Sequence, residues 1–566
     1  MEQSVRKDDK TMKTQKYYTP SRNGHSVTNQ PPPLRDYNLY SSDPLVKECI
    51  EHHEVRETSL EETGKTLGTE EMIEHGRLAN EFPPVLRSHS AEGFRLDEVE
   101  FHPSWHALMD FSKNHGIASY PTPGSGQTHL ERAVLMYLVS QNEAGHGCPI
   151  SMTYAAVPAI RHGVKGQKHI ESLLTSSTYD PNLAPLSSKT TALAGMAMTE
   201  KQGGSDLRAN STTAIQNSTE DTWRITGHKW FMSAPMCDMF LTLAQTKVGL
   251  SCFLVPRVLD ADSNSSSVGY KNAIYLERLK DKLGNRSNAS AEVEFDNAIG
   301  YLVGEEGRGI KTILEMVSQC RLDSLIGSAA QMRQALIQAY WWVTKRSAFN
   351  TLLIGAPLMQ NVLADLAIES AAANVTFLRL AEASDNQADP LEVSLRRIGT
   401  SISKFLVCKK ASGFVAEALE CVGGSGYVEE SPLARLFRES PLNGIWEGSG
   451  NVNALDIIRI LHKTPDTIEH FFDEIAHAKG SYQSLDLMAE KLKVRFGQEE
   501  IPESQARRVV NDLGLVFQGS LLARFGTQTI TDAFIRSRIE RDYGSVYGTL
   551  PADLDFNKIL EESILL

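Results

Sequence analysis

Apolar residues recur along this chain at two different periods, and the period changes twice. Leu130, Val134, Leu135 and Leu138 are spaced by three and four, which is one face of a helix. Thr69-Glu70-Glu71 opens another such run with Met72, Ile73 and Leu78. Helical signals of this kind dominate from about 43 to 190. From about 191 to 303 the segments become short, and apolar or alternating: Trp223–Ser233, Met239–Thr246, Leu250–Leu259, Ala273–Lys280 and Ser290–Phe295. Five strands at this spacing, with turn residues between them, predict a small β-barrel or sandwich. Asp260–Ser267 is polar throughout and predicts a loop. Helical spacing returns after Gly304, for example at Leu395, Ile398, Ile402, Phe405 and Leu406, and stops at Gly423-Gly424.

The expected organisation is α+β: a polar arm over 1–36, ending in Pro31-Pro32-Pro33; a helical domain over 37–190; a β domain over 191–303; a helical bundle over 304–463; and a helical extension over 464–566. A chain of 566 residues exceeds what one core usually holds, which agrees with several domains.

Charge removes some functions. With 57 Lys and Arg against 70 Asp and Glu, the net charge of −13 argues against a nucleic-acid surface over the whole molecule. The extension is acidic too, with 11 basic and 17 acidic residues, so no nucleic-acid partner is expected. Its local clusters, Arg507-Arg508 and Arg536/Arg538/Arg541, read as solvated helix faces. The seven cysteines form no CxxC pair and the histidines no HExxH, so buried thiols, a reducing compartment and no metal are expected. No apolar run reaches the ~20 residues that span a bilayer. The first residues mix acids with bases, unlike a signal or transit peptide, and the expected address is cytoplasmic, with a mitochondrial one as the alternative.

Five segments can carry chemistry. In Ile445-Trp446-Glu447-Gly448-Ser449-Gly450-Asn451 a carboxylate sits beside a bulky aromatic and two glycines follow. Burial would raise its pKa, and a carboxylate near neutrality is a competent general base for a carbon-bound proton. The same residues also suit a helix N-terminal loop leading into Val452–Leu461. Met196–Asp206 brings apolar residues to a hydroxyl and then a Gly-Gly-Ser turn, and can either present Thr199 to a flat heterocycle or serve as a strand-to-turn junction. Trp230-Phe231 with Ser233 can cover one face of a ring or form a core aromatic pair. Arg346, just after an aromatic-rich helix, can grip a phosphate or sit solvated at a helix end. Gly423-Gly424-Ser425-Gly426-Tyr427 can approach a pyrophosphate or end a helix.

In this order and on this layout the segments resemble the acyl-CoA dehydrogenase family. The resemblance rests on Met198-Thr199-Glu200 with Gly203-Gly204-Ser205-Asp206, Gly284-Asn285-Arg286, Gly304–Gly309, Arg346 with Phe349, Gly423–Tyr427, and Trp446-Glu447-Gly448. Asn29-Gln30-Pro31, Gly76–Asn80, Phe101-His102-Pro103 and Lys282–Ser290 are similar to its alkylation-response, AidB-like branch, as is the helical extension.

The resemblance implies FAD as cofactor, a C-terminal four-helix bundle and a homo-oligomer, in the family a tetramer. It implies that Met198, Thr199, Phe231 and Ser233 meet the flavin ring. Arg346, Phe349, Gly423 and Gly424 would meet the FAD diphosphate and adenine of a neighbouring subunit. Ser449 and Asn451 would hold FAD beside the base, Ser205 and Arg321 would face the substrate, and Glu447 would be the catalytic base. The implied reaction is α,β-dehydrogenation of a fatty acyl-CoA. Ser318 stands where the family often has Asp for CoA recognition. That departure keeps in view a flavoprotein that sequesters fatty acyl chains with little turnover, and the resemblance to the AidB-like branch adds a nucleic-acid-associated flavoprotein, which the acidic extension disfavours.

Overall fold

The computed structural model describes residues 27–566 apart from 52, 54, 123, 168, 219–220, 262–268 and 499–500. Most of the expected arm and of the Asp260–Ser267 loop lie outside the described residues. The order is helical, β, helical, so the fold is α+β as the hydrophobic periods predict. The first part contains two helices buried on every side, α1 (His129–Asn142) and α2 (Gly147–Ile160). Thr128 caps α1 by accepting from the Glu131 N–H at 3.0 Å, and the Asp385 carboxylate accepts the next two orphan N–H groups, of His129 and Leu130. The helical region also holds a hairpin that periodicity does not predict, Val85–His89 paired with Arg95–Glu100. Its residues face water in alternation, so its signal is polar.

The main sheet of the middle part has seven strands: β1 (Ala194–Ala197), β2 (Thr213–Gln216), β3 (Trp223–Ser233), β4 (Met239–Gln245), β5 (Leu250–Pro256), β6 (Ile274–Leu279) and β7 (Ser290–Val303). They are ordered β6-β7-β5-β4-β1-β3-β2, and β7 also pairs β3, which closes β7, β5, β4, β1 and β3 into a ring. Closure removes the free edges an open sheet would show. The predicted strand Leu250–Leu259 is broken at Arg257. Its buried guanidinium turns away to the carbonyls of Pro235 and Asp97.

Behind the barrel stands α3 (Gly309–Val343), 35 residues and about 50 Å long. It packs against α1, α2, α4 (Pro357–Asp385) and α5 (Pro390–Val422). Asp389 caps the start of α5, and Gly423 (φ +71°) ends it in the left-handed conformation that glycine tolerates. After α6 (Gly450–Lys463) the extension continues as helices, of which α7 (Ala506–Phe525) is buried against α4, α5 and α6.

Of the extension's arginines, Arg507, Arg508 and Arg541 are solvent-exposed as expected, and Arg538 is not. Arg538 is buried against Asp365 and Glu369, Arg536 pairs with Asp542 and Asp553, and Arg541 lies 3.4 Å from Asp512. Only an acid-lined groove across the helices could bury Arg538, and neighbours that distant in sequence leave no local trace.

Both ends of the described chain meet on α3. Residues 29–32 lie across its C-terminal end, where Asn29 exchanges two hydrogen bonds with Ser347 and Trp341 donates to the Pro32 carbonyl at 2.7 Å. Arg333 bonds the carbonyls of Ser42 and Ser563, and the Leu565 N–H donates to Ser42 at 3.2 Å. Among the described residues no helix is long and apolar enough to cross a membrane.

Candidate active site

Glu447 sits in the tight connection between the one-turn segment Leu442–Gly444 and α6. Its backbone is left-handed (φ +57°), an uncommon conformation for a residue with a Cβ, and Gly448 follows at φ +99°. Donors from three helices hold this backbone. Arg321 of α3 donates Nε to the Glu447 carbonyl at 2.9 Å. Lys404 of α5 spends its ammonium on the carbonyls of Asn443, Trp446 and Gly448, at 2.9, 2.9 and 3.0 Å. Asn453 of α6 donates to Gly448 at 2.6 Å. The Trp446 indole donates to Asn443 at 2.9 Å, which fixes the aromatic neighbour.

The Glu447 side chain is treated differently. Its Oε2 is buried and has no hydrogen-bond partner. Burial pushes its pKa from the usual 4.5 up to about 7, against the opposing pull of Lys404 and Arg321. The N-terminal-loop reading of this segment also holds geometrically, since α6 starts at Gly450. Ser449, at the N-cap position, makes no side-chain capping bond, so its hydroxyl is not spent on the helix.

Glu447 faces a narrow chamber between α1, α2 and α3, lined among others by Cys148, Ser151, Cys320, Gln331 and Trp446. Its cavity volume is about 50 Å³, and the methyl end of Met136 lies over Gly147 along its length. Ser233, at the end of β3, lines the same chamber, so the barrel edge and Glu447 share one space. Beside Ser233, β3 pairs with β1 through Met196↔Ser233 and Ala197↔Met232. The Trp230 N–H donates to the Thr199 carbonyl at 2.8 Å. Phe231 is 44% exposed, a large aromatic left open at the barrel edge. The loop after Thr199 is anchored by Glu200, whose buried carboxylate takes Lys229 at 2.9 Å and the N–H groups of Ser211 and Thr212. Burial opposes ionisation there, but Lys229 and these donors hold Glu200 well below the usual carboxylate range. Gly204 closes on Thr199: a Cβ at 204 would meet Oγ1 at 2.6 Å.

The structure therefore brings together Met198, Thr199, Phe231 and Ser233 on the barrel edge, and Ser233 with Glu447 at the chamber. Ser205 is exposed on the loop after Gly204. Arg321 is committed to the Glu447 carbonyl and to Asp456 at 3.1 Å, which makes it a positioning group. Ser449 and Asn451 flank the start of α6. Arg346, Phe349, Gly423 and Gly424 lie outside the chamber lining. Arg346 bonds Asn29 and Gln30, and Phe349 stands fully exposed with φ +52°. Gly423 and Gly424 face open space.

Sequence reasoning missed the clamp of Lys404 and Asn453. Lys404 had a signal: a charge set between Ile402 and Phe405 on an otherwise apolar stripe. The chamber face of α3 had none, because its partners are α1 and α2.

Among the described residues no group of acids, histidines and thiols could hold a metal ion. An open aromatic with hydroxyls at its edge, an unspent Ser449 hydroxyl and an unpartnered buried carboxylate are features that suit a flat redox heterocycle and a substrate between them.

Three family models match the chain: the adaptive response protein AidB N-terminal domain over 29–181, the acyl-CoA dehydrogenase middle domain over 195–298 and the acyl-CoA dehydrogenase C-terminal domain over 307–462. AidB of Escherichia coli (strain K12) is 41% identical over 522 residues, covering 91% of this chain and 94% of that protein. Acyl-CoA dehydrogenase family member 11 of Caenorhabditis elegans is 29% identical over 484 residues, covering 81% of this chain and 75% of that protein. The solved structure of Caenorhabditis elegans ACDH-11 in complex with C11-CoA has a TM-score of 0.80 at 25% identity, over 93% of this chain and 94% of that one.

Proposed function

Because the chain belongs to the acyl-CoA dehydrogenase family, on the AidB branch, we propose that it dehydrogenates a fatty acyl-CoA with Glu447 as the base. It is a flavin-dependent oxidoreductase, and its cofactor is FAD. Met198, Thr199, Phe231, Ser233, Ser449 and Asn451 are the residues that would hold the flavin side of FAD. When bound, FAD supplies the hydride acceptor.

The observation that carries the reading is Glu447 itself: a buried carboxyl, unpartnered at Oε2, brought to about 7 and fixed at the chamber that Ser233 shares. A base needs a pKa near the working pH and a fixed position, and the Arg321–Lys404–Asn453 clamp supplies the second by gripping the main chain alone. The carboxylate is left free to take a proton from the carbon next to the thioester. The Glu447 N–H makes no hydrogen bond among the described residues, which leaves it available to the thioester carbonyl as charge develops there.

The domain limits 37–190, 191–303, 304–463 and 464–566 are part of the proposal. So is a homotetramer in which Arg346, Phe349, Gly423 and Gly424 of one subunit serve the FAD of the next. A fully exposed Phe349 in the single chain supports it.

The test is Glu447→Gln. FAD and acyl-CoA still bind, and anaerobic bleaching of the flavin by acyl-CoA falls by roughly 10²–10⁴-fold. Loss of FAD binding with unchanged bleaching per bound flavin would reduce Glu447 to a structural residue. Wild-type protein that binds acyl-CoA and hardly bleaches would favour sequestration instead.

A further inference from the structure

The wall of the chamber changes character along its length. On α3 it is formed by Cys320, Ser324, Gly327 and Gln331, at intervals of four and three, so they share one helix face. Cys320 marks the reaction end, since its neighbour Arg321 holds the Glu447 carbonyl. Gln331 is eleven residues further on, about 16 Å along the axis. The opposite wall is α1. Arg132 pairs with Asp323, and Tyr137 meets Arg333 on Asp43, so α1 and α3 advance in the same direction. Ser140 of α1 and Gln331 of α3 both line the chamber.

This far end is polar and unspent. Gln331 is 2% exposed, its Oε1 has no partner, and its amide makes no side-chain hydrogen bond among the described residues. Ser140 is 3% exposed, and its hydroxyl makes no side-chain hydrogen bond among the described residues. Glu439 lines the chamber as well, another buried carboxyl, pushed up to about 7 by burial and by Glu143. A methyl-ended chain reaching this depth would displace water and leave the Gln331 carbonyl buried and unpaired. A hydroxyl there donates to that carbonyl and accepts from the amide or from Ser140. The chamber is too narrow for a chain as it stands, and Met136 is the unbranched side chain that can swing to admit one.

Resting on the acyl-thioester reading above, we infer that the acyl group carries a hydrogen-bond donor at its end remote from the thioester, a hydroxyl in the simplest case, seated between Gln331 and Ser140. Sites built around a substrate hydroxyl discriminate strongly against the analogue that lacks it.

The experiment uses the holoenzyme and pairs of acyl-CoA thioesters of equal, graded length, one ending in methyl and one in hydroxyl. Anaerobic flavin bleaching gives kcat/KM, and perturbation of the flavin spectrum gives affinity. At one length the hydroxylated thioester is favoured roughly 5- to 150-fold, the range set by leaving one buried polar group unpaired. Gln331→Met abolishes or reverses the preference, and Ser140→Ala weakens it. If Gln331→Met does not fold, the wild-type pair and Ser140→Ala carry the test. Equal use of both thioesters at every length, as expected if the far end simply keeps its water, overturns the inference. If neither thioester bleaches the flavin, the dehydrogenase reading has failed and affinity decides. Tighter binding of the hydroxylated thioester sustains the inference, while equal binding or none overturns it.

Discussion

Glu447, half-buried with its Oε2 shut off from solvent, and Glu369, fully buried, lie in the helical half of the molecule and end with opposite acidities. Burial alone pushes each upward. At Glu369 it is outweighed: Lys410 reaches both carboxylate oxygens at 2.8 Å and Arg538 donates Nε at 2.7 Å, and the pKa falls to about 2. At Glu447 two cations are also close, but Lys404 directs its donors at main-chain carbonyls and Arg321 at the Glu447 carbonyl and Asp456, and the pKa rises to about 7. The number of nearby positive charges does not separate the two sites. What separates them is whether the donors reach the carboxylate or the peptide groups beside it. The first arrangement locks the extension to the bundle, and the second holds a base in place without neutralising it.

The largest effect that can break this comparison is on rate. Flavin reduction by acyl-CoA rises with pH up to about 7, about tenfold per unit below it, because only ionised Glu447 accepts a proton. Glu369→Gln leaves that profile where it is, and stopped-flow measurements between pH 5 and 9 check both. A profile that moves with Glu369 would mean that the two sites are coupled.

Next in size is stability. Arg538→Met strands Asp365 and Glu369 without their shared guanidinium, and breaking a buried pair this way costs about 3–5 kcal/mol. Urea denaturation at neutral pH measures it. The stabilisation from Glu369 is present above its unfolded pKa and is lost as pH falls towards about 2, so the deficit of the variant shrinks in acid.

The smallest effect has the opposite sign. The raised pKa of Glu447 contributes stability that is complete below about 4.5 and is lost as pH rises through about 7. Glu447→Gln is therefore more stable than wild type at pH 8, by on the order of 1–3 kcal/mol, and nearly equal to it at pH 4. Equal stability at both pH values would show that the carboxyl is solvated after all.

What could be read from the sequence was local. Strand β3 begins and ends where its alternation does, at Trp223 and Ser233. The Trp446-Glu447-Gly448 segment announced its carboxyl through its neighbours. Strand β7 runs on to Val303, past the predicted end at Phe295, because Asp296 and Asn297 are carried outward where the register with β3 shifts between Phe295 and Ala298. Two polar residues there look like a turn until the partner strand is seen. The donors that hold Glu447 come from α3, α5 and α6, and no single segment contains that register.

Arg333, Ser42 and Leu565 join parts of the chain that leave the ribosome at very different times. At roughly 5–20 residues per second, the Leu565 amide emerges about half a minute to two minutes after the Ser42 carbonyl it bonds. Arg333 itself follows Ser42 by 291 residues, and for the next 230 it has only the early half of its partners, Ser42 and Asp43, with the Ser563 carbonyl still to come. The nascent protein thus holds its first helices in an unfinished groove until the Ser563–Leu565 segment emerges, and chaperone demand should concentrate in that window.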